Sequence, residues 1–352
     1  MASAPLPLTA SRIAVRDDLP ADVCEAYVAR HSMASAYHHP VWLDVVRRSF
    51  GHDTRMLVAD SGHGIVGVLP LVLFRSRLFG RFGVSMPFFN YGGVLADSPA
   101  AEQALLDRAI AETRRIDGDH LELRHSRQLF ASLTPRHHKV AMRLPLASSP
   151  DGQWQALDRK LRNQVRKAEK SGLQTVTGGA ELLPAFYSVF CRNMRDLGTP
   201  VYSRRFFEEV LRALPDRSRV FVVRLNGRPV AASLTHVHRG TMEVPWASAI
   251  RDFNPLCANV LLYWEMLKFA ATERLHVLDF GRSSPDAGTY FFKKQWGAVP
   301  HPLVWEYWTP SPGEARDLSP TNAKFSVAIR AWQHLPVGVA SLIGPHVVRN
   351  IP

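Results

Sequence analysis

The chain contains 352 residues, of which 46% are hydrophobic and 21% are charged, and its formal net charge is +12. This composition is ordinary for a packed globular protein and excludes a disordered chain. The length exceeds the roughly 250–300 residues that one hydrophobic core serves, so two domains are expected. The positive charge favours anionic partners such as nucleic acid, nucleotide phosphates or an acidic membrane surface.

Cysteine usage and the N-terminal residues indicate the compartment. Cys24, Cys191 and Cys257 are odd in number and far apart, which predicts reduced thiols without a disulfide framework. The N-terminal residues lack the basic and apolar regions of a secretion signal. The longest nearly apolar run, 65–74, is about half the length that spans a bilayer. These features predict a cytoplasmic protein.

The first half of the chain alternates helical and strand patterns. A short amphipathic helix is predicted over 40–51, and two strands joined by a turn are predicted over 55–59 and 64–74. A longer helix over 101–116 leads into the strand 121–123, which carries one central acid. Helices that alternate with paired strands are typical of a sheet covered by helices.

The second half repeats this order of elements. A helix is predicted over 204–215, and two strands over 219–223 and 227–235 are joined by Asn-Gly, a strong hairpin signal. A long helix over 258–273 leads into the strand 278–280, which again carries one acid. A chance similarity between two generic α/β segments is the alternative to a true repeat.

The repeat predicts the fold class and the domains. We predict an α/β fold, with an α+β mixed sheet, built from two tandem duplicated domains. The N-terminal domain is expected over 10–145 and the C-terminal domain, with the active-site motif, over 146–309. A linker and an amphipathic C-terminal tail are expected over 310–352.

A basic helix is predicted over 154–171. Six Lys or Arg between 159 and 170 accompany one acid, Glu169. Its apolar stripe consists of Leu157, Leu161, Val165 and Ala168. A solvated helix face is one interpretation, but such faces normally mix both signs of charge. A surface that binds a polyanion is the other interpretation.

We place the active site in Val277–Ala298, which reads VLDFGRSSPDAGTYFFKKQWGA. A short strand with one acid, Asp279, breaks at Gly281 and leads to two adjacent lysines framed by aromatic residues. Lysines are rarely fully buried unless paired, and a solvent loop has little use for several rings. The combination predicts a pocket wall where rings exclude water and cations meet negative charge. An aromatic loop covered by lysine stems is the alternative.

Several kinds of chemistry leave no signature in the chain. It contains no Walker loop, dinucleotide fingerprint, HExxH or GxSxG motif. The pairs His38-His39 and His137-His138 are adjacent and do not converge on one metal as i, i+4 pairs do. We therefore predict no metal site and no permanently bound cofactor. A Ser–His–Asp triad is scattered in sequence, so that alternative stays open.

The last segment, 324–352, combines apolar residues with three cations, Lys324, Arg330 and Arg349, and contains no acid. Such an amphipathic segment either docks on the second domain or lies on an anionic membrane. The sequence leaves both alternatives open, and the second would make the protein peripheral to a membrane.

Three stretches resemble the FemAB family: LDFGRSSPDAGTYFFKKQWGA, the helix start NVLLYWEM at Asn259, and RNQVRKA at Arg162. FemAB proteins are double-GNAT-fold transferases that move aminoacyl groups from charged tRNA onto cell-wall precursors. The chain most resembles the FemAB-related branch associated with exosortase (PEP-CTERM) and exopolysaccharide loci, which is also similar to the BioF2-like acetyltransferase group. The resemblance covers residues from about 10 to 308. FemAB ligases carry a long helical arm, associated with tRNA-sized donors, for which 172–250 leaves no room.

The resemblance implies tandem GNAT-like domains and an acyltransferase reaction. An amine or hydroxyl attacks a thioester or ester carbonyl, and the developing oxyanion needs stabilisation. The donor implied is acyl-CoA, acyl carrier protein or aminoacyl-tRNA, and the acceptor is a cell-envelope or exopolysaccharide precursor. A non-catalytic nucleic-acid (tRNA)-binding protein, which would use the basic helix at 159–170, is the alternative function.

By motif position the resemblance implies that Lys293 is the catalytic residue. Successive residues project in different directions, so Lys293 and Lys294 cannot both point into one pocket. The phenylalanine–lysine pair of the family falls on Phe292 and Lys293, and the resemblance therefore implies that Lys293 points inward and Lys294 lies at the rim. The resemblance also implies that Tyr290 and Trp296 line an acyl pocket, that Arg282 and Lys294 hold a phosphate-bearing donor or acceptor, and that the loop with Tyr91 and Gly92 positions the acceptor. It places further residues around the donor or acceptor: Arg162, Arg166, Lys167, Asn259, Ser283 and Phe292.

Overall fold

The computed structural model describes residues 13–77, 79–310 and 323–352. The helices of the first half are α1 (Ala21–Arg30), α2 (Val41–Phe50) and α3 (Pro99–Arg115). Its strands are β1 (Ala14–Arg16), β2 (Asp53–Asp60), β3 (Ile65–Ser76), β4 (Gly80–Val84), β5 (Leu95–Ala96), β6 (His120–His125) and β7 (Thr134–Pro145).

The second half begins with α4 (Pro150–Ala156). The helices that follow are α5 (Arg159–Lys170), α6 (Leu183–Leu197), α7 (Arg204–Ala213), α8 (Ala258–Thr272) and α9 (Gly288–Lys294). The strands are β8 (Leu173–Gly178), β9 (Ser218–Leu225), β10 (Arg228–His238), β11 (Thr241–Ala249), β12 (Val277–Ser283) and β13 (Val299–Trp308). The tail forms α10 (Ala323–Gln333) and α11 (Val337–Val348).

The predicted repeat is confirmed by the strand pairing. In the first half β2, β3 and β4 are antiparallel neighbours, and β6, which follows α3, pairs parallel to β4. In the second half β9, β10 and β11 are antiparallel neighbours, and β12, which follows α8, pairs parallel to β11. The β9–β10 hairpin turns at Asn226 and Gly227, with φ of 48° and 78°, as an Asn-Gly turn requires.

The two halves share one mixed sheet because each half places its last strand in the other. The order is β1-β2-β3-β4-β6-β13-β7-β12-β11-β10-β9-β8, with β5 beside β3. β7 follows β6 in the chain but pairs with β12, and β13 follows β12 but pairs with β6. The predicted boundary at residue 145 falls at the end of β7. The division into domains stays a prediction.

Helices cover the two faces of the sheet differently. On one face α2, α6 and α7 pack into a core shared by both halves, which includes Trp42, Phe206, Phe207 and Trp246. On the other face α3 covers the first half, whereas α5 and α8 cover the second. The shared face therefore brings side chains from both halves together.

The single basic helix predicted over 154–171 is wrong, because two helices occupy this segment. Leu157 is extended between α4 and α5. The carboxylate of Asp158 accepts a hydrogen bond from Leu161 N at 2.7 Å and starts α5. The predicted apolar stripe is buried, from Leu157 to Ala168.

The tail helices lie on α6. Arg195 Nη1 donates to Leu335 O at 2.9 Å, and Gln333 Nε2 donates to Asp196 O at 3.2 Å. A Cβ on Gly344 would lie 2.8 Å from Val201 N, so α11 approaches the second half closely. Residues 311–322, which include most of the predicted linker, lie outside the described residues. None of the helices in the described ranges is long and apolar enough to cross a bilayer.

Candidate active site

The site begins where two parallel strands of the second half separate. β11 and β12 pair over three residues each, ending at Glu243 and Asp279. Beyond this point β11 stays with β10 as far as Ala249, whereas β12 shifts its register against β7 between Asp279 and Arg282. The strands therefore diverge after Glu243 and Asp279, and we call this point the fork.

Four ionisable side chains stand side by side across the sheet at the fork. The register places His236 of β10 opposite Glu243. Asp279 lies beside Glu243 on one side and opposite Arg143 of β7 on the other. Paired positions on neighbouring strands carry their side chains on the same face. His236 and Asp279 are each 1% exposed and Glu243 is 7% exposed, so these groups interact with little screening by water.

Two tyrosines from the first half pack over this row. The Tyr37 hydroxyl donates to Glu243 Oε2 at 2.8 Å, and the Tyr91 hydroxyl donates to Asp279 Oδ2 at 2.8 Å. Arg143 Nε donates to the same Asp279 oxygen at 3.1 Å. Both halves of the chain therefore supply groups that hold the two carboxyl groups in place.

The surroundings separate the pKa values of the two carboxyl groups. Burial and the neighbouring Glu243 raise the pKa of Asp279 above its usual range. Burial also acts to raise the pKa of Glu243, but His236 and the Tyr37 hydroxyl outweigh it and the pKa is lowered. Glu243 is therefore ionised at neutral pH, as a general base must be.

A cavity of about 610 Å³ lies against the fork. Glu243, Arg143, Tyr91 and Gly92 are in its wall, and its volume is that of a small-molecule site. Four arginines and two acids lie in this wall, and the excess of positive charge favours an anionic ligand. The acids are Glu102 and Glu243, and the arginines are Arg124, Arg127, Arg143 and Arg239. The wall also contains His31, His38, His125, His238 and His301, of which His38 and His238 are neutral at pH 7 because burial lowers the pKa of each to about 4.

Close backbone contact fixes the loop that carries Tyr91. Gly92 has a φ of 115°, which glycine adopts more readily than other residues. A Cβ on Gly93 would lie 2.0 Å from Cδ2 of His125, and His125 Nδ1 lies 2.6 Å from Glu306 Oε2. The loop therefore holds Tyr91 and Gly92 at the cavity, while their role in positioning an acceptor stays a prediction.

Lys293 lies in the last turn of α9 and points into the protein. It is 8% exposed, whereas Lys294 is exposed, which is the orientation expected for this pair. Lys293 Nζ donates to Gly281 O at 3.1 Å and to Arg282 O at 2.9 Å, where β12 shifts its register. Burial lowers the pKa of Lys293 to about 8. Lys293 supports the fork from outside the cavity wall, and its catalytic role stays a prediction.

The aromatic residues of the predicted acyl pocket lie in the core beneath α8. The ring centroids of Phe292 and Trp296 lie 5.0 and 6.1 Å from that of Tyr263 on α8. Tyr290 packs at the edge of the same core. Ser283 Oγ and Trp296 Nε1 are buried without a hydrogen-bond partner among the described residues. The large cavity does not include these side chains in its wall.

The other predicted binding residues lie at separate places. The exposed Arg282 has its guanidinium 5.4 Å from the centre of the Trp305 ring. Asn259 is half-buried in the first turn of α8. The predicted residues of α5 are half-buried or exposed and lie outside the cavity wall: Arg162, Arg166 and Lys167.

Sequence reasoning missed Glu243, Tyr37, Arg143 and His236. One signal for Glu243 was present, because a single acid within an otherwise apolar strand is the feature that singled out Asp279. The others carry no such signal, since only the strand register and the packing of the first half bring them to the fork. In the described part of the chain, no group of three or more His, Cys, Asp or Glu could hold a metal ion.

Comparison with known proteins assigns the class of this fold. Residues 155–294 match the acetyltransferase (GNAT) domain family. The structure is similar to FemX, with 14% identity and a TM-score of 0.64 over 83% of this chain and 96% of FemX. It is similar to the tandem GNAT protein of the clavulanic acid biosynthesis pathway, with 12% identity and a TM-score of 0.57 over 86% of this chain and all (100%) of that chain.

A third similar structure is the C-terminal domain of an Agrobacterium fabrum protein described as a lysylphosphatidylglycerol synthetase. Its identity is 15% and its TM-score 0.56, over 82% of this chain and 91% of that chain. No curated protein matches the chain in sequence.

The fold is thus a tandem GNAT fold, as predicted, and the chain is an acyltransferase. The domain match over 155–294 contains Glu243, Asp279 and Lys293. The first half lies outside that match, and its likeness to GNAT proteins is one of fold.

Proposed function

We propose that the protein transfers an acyl or aminoacyl group from an activated donor to an amine or hydroxyl of an anionic cell-envelope or exopolysaccharide precursor. The observation that carries this proposal is Glu243, an ionised carboxylate in the wall of a cation-rich cavity, at the fork of the GNAT domain. The motif at 279–298 further supports membership of the exosortase-associated branch. The proposed location of the reaction is the cytoplasm.

In the proposed reaction Glu243 acts as the general base. It accepts a proton as the acceptor nitrogen or oxygen forms a bond to the donor carbonyl carbon. The tetrahedral intermediate then breaks the bond from this carbon to the donor sulfur or oxygen, and the proton passes to that leaving group. Tyr37 holds the carboxylate in position. Lys293 lies outside the cavity wall and holds Gly281 O and Arg282 O, so we propose that its ammonium stabilises the oxyanion through the field of its charge and not by direct contact.

Asp279 orients its neighbours instead of taking the proton. It is 1% exposed and accepts hydrogen bonds from Tyr91, Arg143 and Gly281 N. With its side chain 38% exposed, Arg143 can present its remaining N–H groups to an anionic acceptor while Nε stays on Asp279.

The likeness to FemX and to a protein described as a lysylphosphatidylglycerol synthetase supports an aminoacyl donor and an envelope acceptor. Acyl-CoA and acyl carrier protein are the other proposed donors. The exposed cations of α5 provide a surface for a tRNA-borne donor. The basic helix on which the alternative, non-catalytic function depends would then serve the acyltransferase as its tRNA-binding surface. Binding of tRNA to this surface would weaken steeply as salt rises.

The test is a transfer assay with acyl-CoA, acyl carrier protein thioesters and charged tRNA as donors, and with envelope and polysaccharide precursor fractions as acceptors. Product is identified by mass spectrometry. Glu243→Gln should fold as the wild type does and lose turnover by about 10²–10⁴. Glu102→Gln, at the same cavity, is the matched control and should retain turnover. Transfer at equal rates by wild type and Glu243→Gln would overturn the proposed role of Glu243.

A further inference from the structure

The C-terminal helix α11 is apolar on both its inner and its outer face. Gly344 and Val348 are buried against the protein. The opposite face exposes Val339 by 40%, Leu342 by 73% and Ile343 by 42%. A helix that is apolar all round normally has both faces covered. The outer face of α11 is therefore available to a partner.

Exposed apolar side chains concentrate in the tail. Eleven large apolar side chains are strongly exposed among the described residues, and five of them lie within the last 30 residues. These five are Val327, Val339, Leu342, Ile343 and Ile351. Leu197, which is 48% exposed, is the last residue of α6. It lies beside α10, because a Cβ on the next residue, Gly198, would be 2.5 Å from Cγ2 of Ile329 on α10. A concentration of this kind marks an interaction surface.

The tail itself carries charges of one sign. Residues 323–352 contain no Asp or Glu. Arg330 and Arg349 are exposed on the tail. The guanidinium of Arg349 lies near the end of α2, since a Cβ on Gly51 would be 3.8 Å from Nη2 of Arg349. The last turn of α2 carries a further exposed cation, Arg48. Cations therefore border the apolar side chains.

We propose that the outer faces of α10 and α11 bind the surface of an anionic lipid bilayer. The apolar side chains enter the headgroup region and the bordering arginines lie near lipid phosphates. The inner faces of α10 and α11 stay on α6, so the tail is docked on the fold and contacts the membrane at the same time. This contact does not depend on the proposed acyl transfer, and it fits a membrane better than a polyanion because apolar side chains form its centre.

The test is flotation of the full chain with vesicles. Vesicles of equal parts phosphatidylglycerol and phosphatidylcholine should carry the protein upward at low salt, and vesicles of phosphatidylcholine alone should carry far less. The double variant Leu342→Ser/Ile343→Ser should lower the partition coefficient by at least about tenfold. The free energy lost when one large apolar side chain no longer enters a membrane is enough for a decrease of about tenfold in the binding constant. Arg349→Gln should lower it by about fivefold.

The matched control is Val23→Ser/Val176→Ser, which removes two comparably exposed side chains on α1 and β8 (42% and 39% exposed). It should float as the wild type does. Equal flotation of the tail variant and the control would overturn the proposal. So would a wild-type dimer, in analytical ultracentrifugation without vesicles, that the tail variant converts to a monomer. A large fall in the melting temperature of the tail variant would also overturn it, because the two side chains would then be packed in solution.

Discussion

Replacing Lys293 with methionine tests the role of the buried ammonium. The substitution keeps a stem of similar length and removes the charge. Gly281 O and Arg282 O then lose a donor that lies 3.1 and 2.9 Å away. Hydrogen bonds to charged groups contribute about 1.5–3 kcal/mol each to stability. The two bonds together therefore stabilise the wild type by about 3–6 kcal/mol.

A second effect opposes this loss. Burial lowers the pKa of Lys293 from 10.5 to about 8, and this difference means that holding the charged form in the fold costs about 3 kcal/mol below pH 8. Methionine removes this cost. We therefore expect Lys293→Met to lose only about 0–3 kcal/mol at pH 7.

The same shift predicts a pH dependence. Between pH 8 and pH 10.5 the unfolded wild type binds more protons than the folded protein, because the folded pKa is about 8. Wild-type stability contributed by this group therefore rises across that window. Lys293→Met lacks the group and should lack this part of the rise. Calorimetric melting at several pH values measures the difference between the two proteins.

In the transfer assay, Lys293→Met should lose turnover by about 10²–10³ if the ammonium stabilises the oxyanion. Lys294→Met is the matched control, because its side chain is exposed. It should mainly raise the apparent KM for the donor. Near-normal turnover of Lys293→Met, or a loss of turnover that follows Lys294 instead, would refute the catalytic role. A stability rise above pH 8 that is the same in both proteins would refute the assignment of the pKa.

Three further substitutions follow from contacts at the site and at α5. Gly93→Ala would place a Cβ 2.0 Å from Cδ2 of His125, so the melting temperature should fall by about 3–10 °C in differential scanning fluorimetry. Asp158→Ala removes the carboxylate that starts α5 and should cost about 1 kcal/mol in urea denaturation. His236→Phe removes an imidazole whose Nε2 lies 3.7 Å from Glu243 Oε1, so it should lower the melting temperature at neutral pH, where Glu243 is charged. It should raise the pKa of Glu243, which the imidazole helps to lower, and move the acid limb of the turnover profile to higher pH.

Controls separate these effects from general damage. Gly288→Ala has nothing within 4 Å of the added Cβ and should leave the melting temperature unchanged. An unchanged melting temperature of Gly93→Ala would contradict the contact with His125. Identical acid limbs for the wild type and His236→Phe would show that His236 does not act through Glu243.

Much of the fold could be predicted because its signals are local. The hairpin at Asn226 and Gly227, the long helices and the two strands with a central acid all lie within short stretches of sequence. The repeated order of these elements gave the tandem architecture. The alternation of neighbouring side chains predicted that only one of the two lysines points inward, and the resemblance to the FemAB family selected Lys293, in agreement with the structure. The break before α5 was missed although Asp158, a residue type favoured at helix starts, stands at the break.

The site could be predicted only in part because its contacts are non-local. Tyr37 reaches Glu243 across 206 positions of the chain, and Tyr91 reaches Asp279 across 188. Arg143 meets Asp279 only because β7 leaves the first half and pairs with β12. No period or spacing within one segment carries information about this exchange of strands, so sequence patterns alone do not bring these groups together.

The two halves carry equivalent acids, and their surroundings explain why we place catalysis in the second. Glu122 on β6 accepts from Arg124 Nε and from the Tyr307 hydroxyl, each at 2.6 Å. Asp279 on β12 accepts in the same way from Arg143 Nε and the Tyr91 hydroxyl. Both acids are buried beside a parallel strand and held by an arginine and a tyrosine.

The halves differ at the position beside these acids. The parallel partner of Glu122 is Val84, whereas the parallel partner of Asp279 is Glu243. At this pair of positions the first half therefore has one carboxyl group, that of Glu122, and an arginine and a tyrosine already donate hydrogen bonds to it. The second half has an additional carboxylate, Glu243, in the cavity wall, which we propose takes a proton from a bound acceptor. The duplicated fold thus keeps the supporting pair in both copies and places the proposed base in one, while the other copy supplies Tyr37 to hold this base and Tyr91 to hold Asp279.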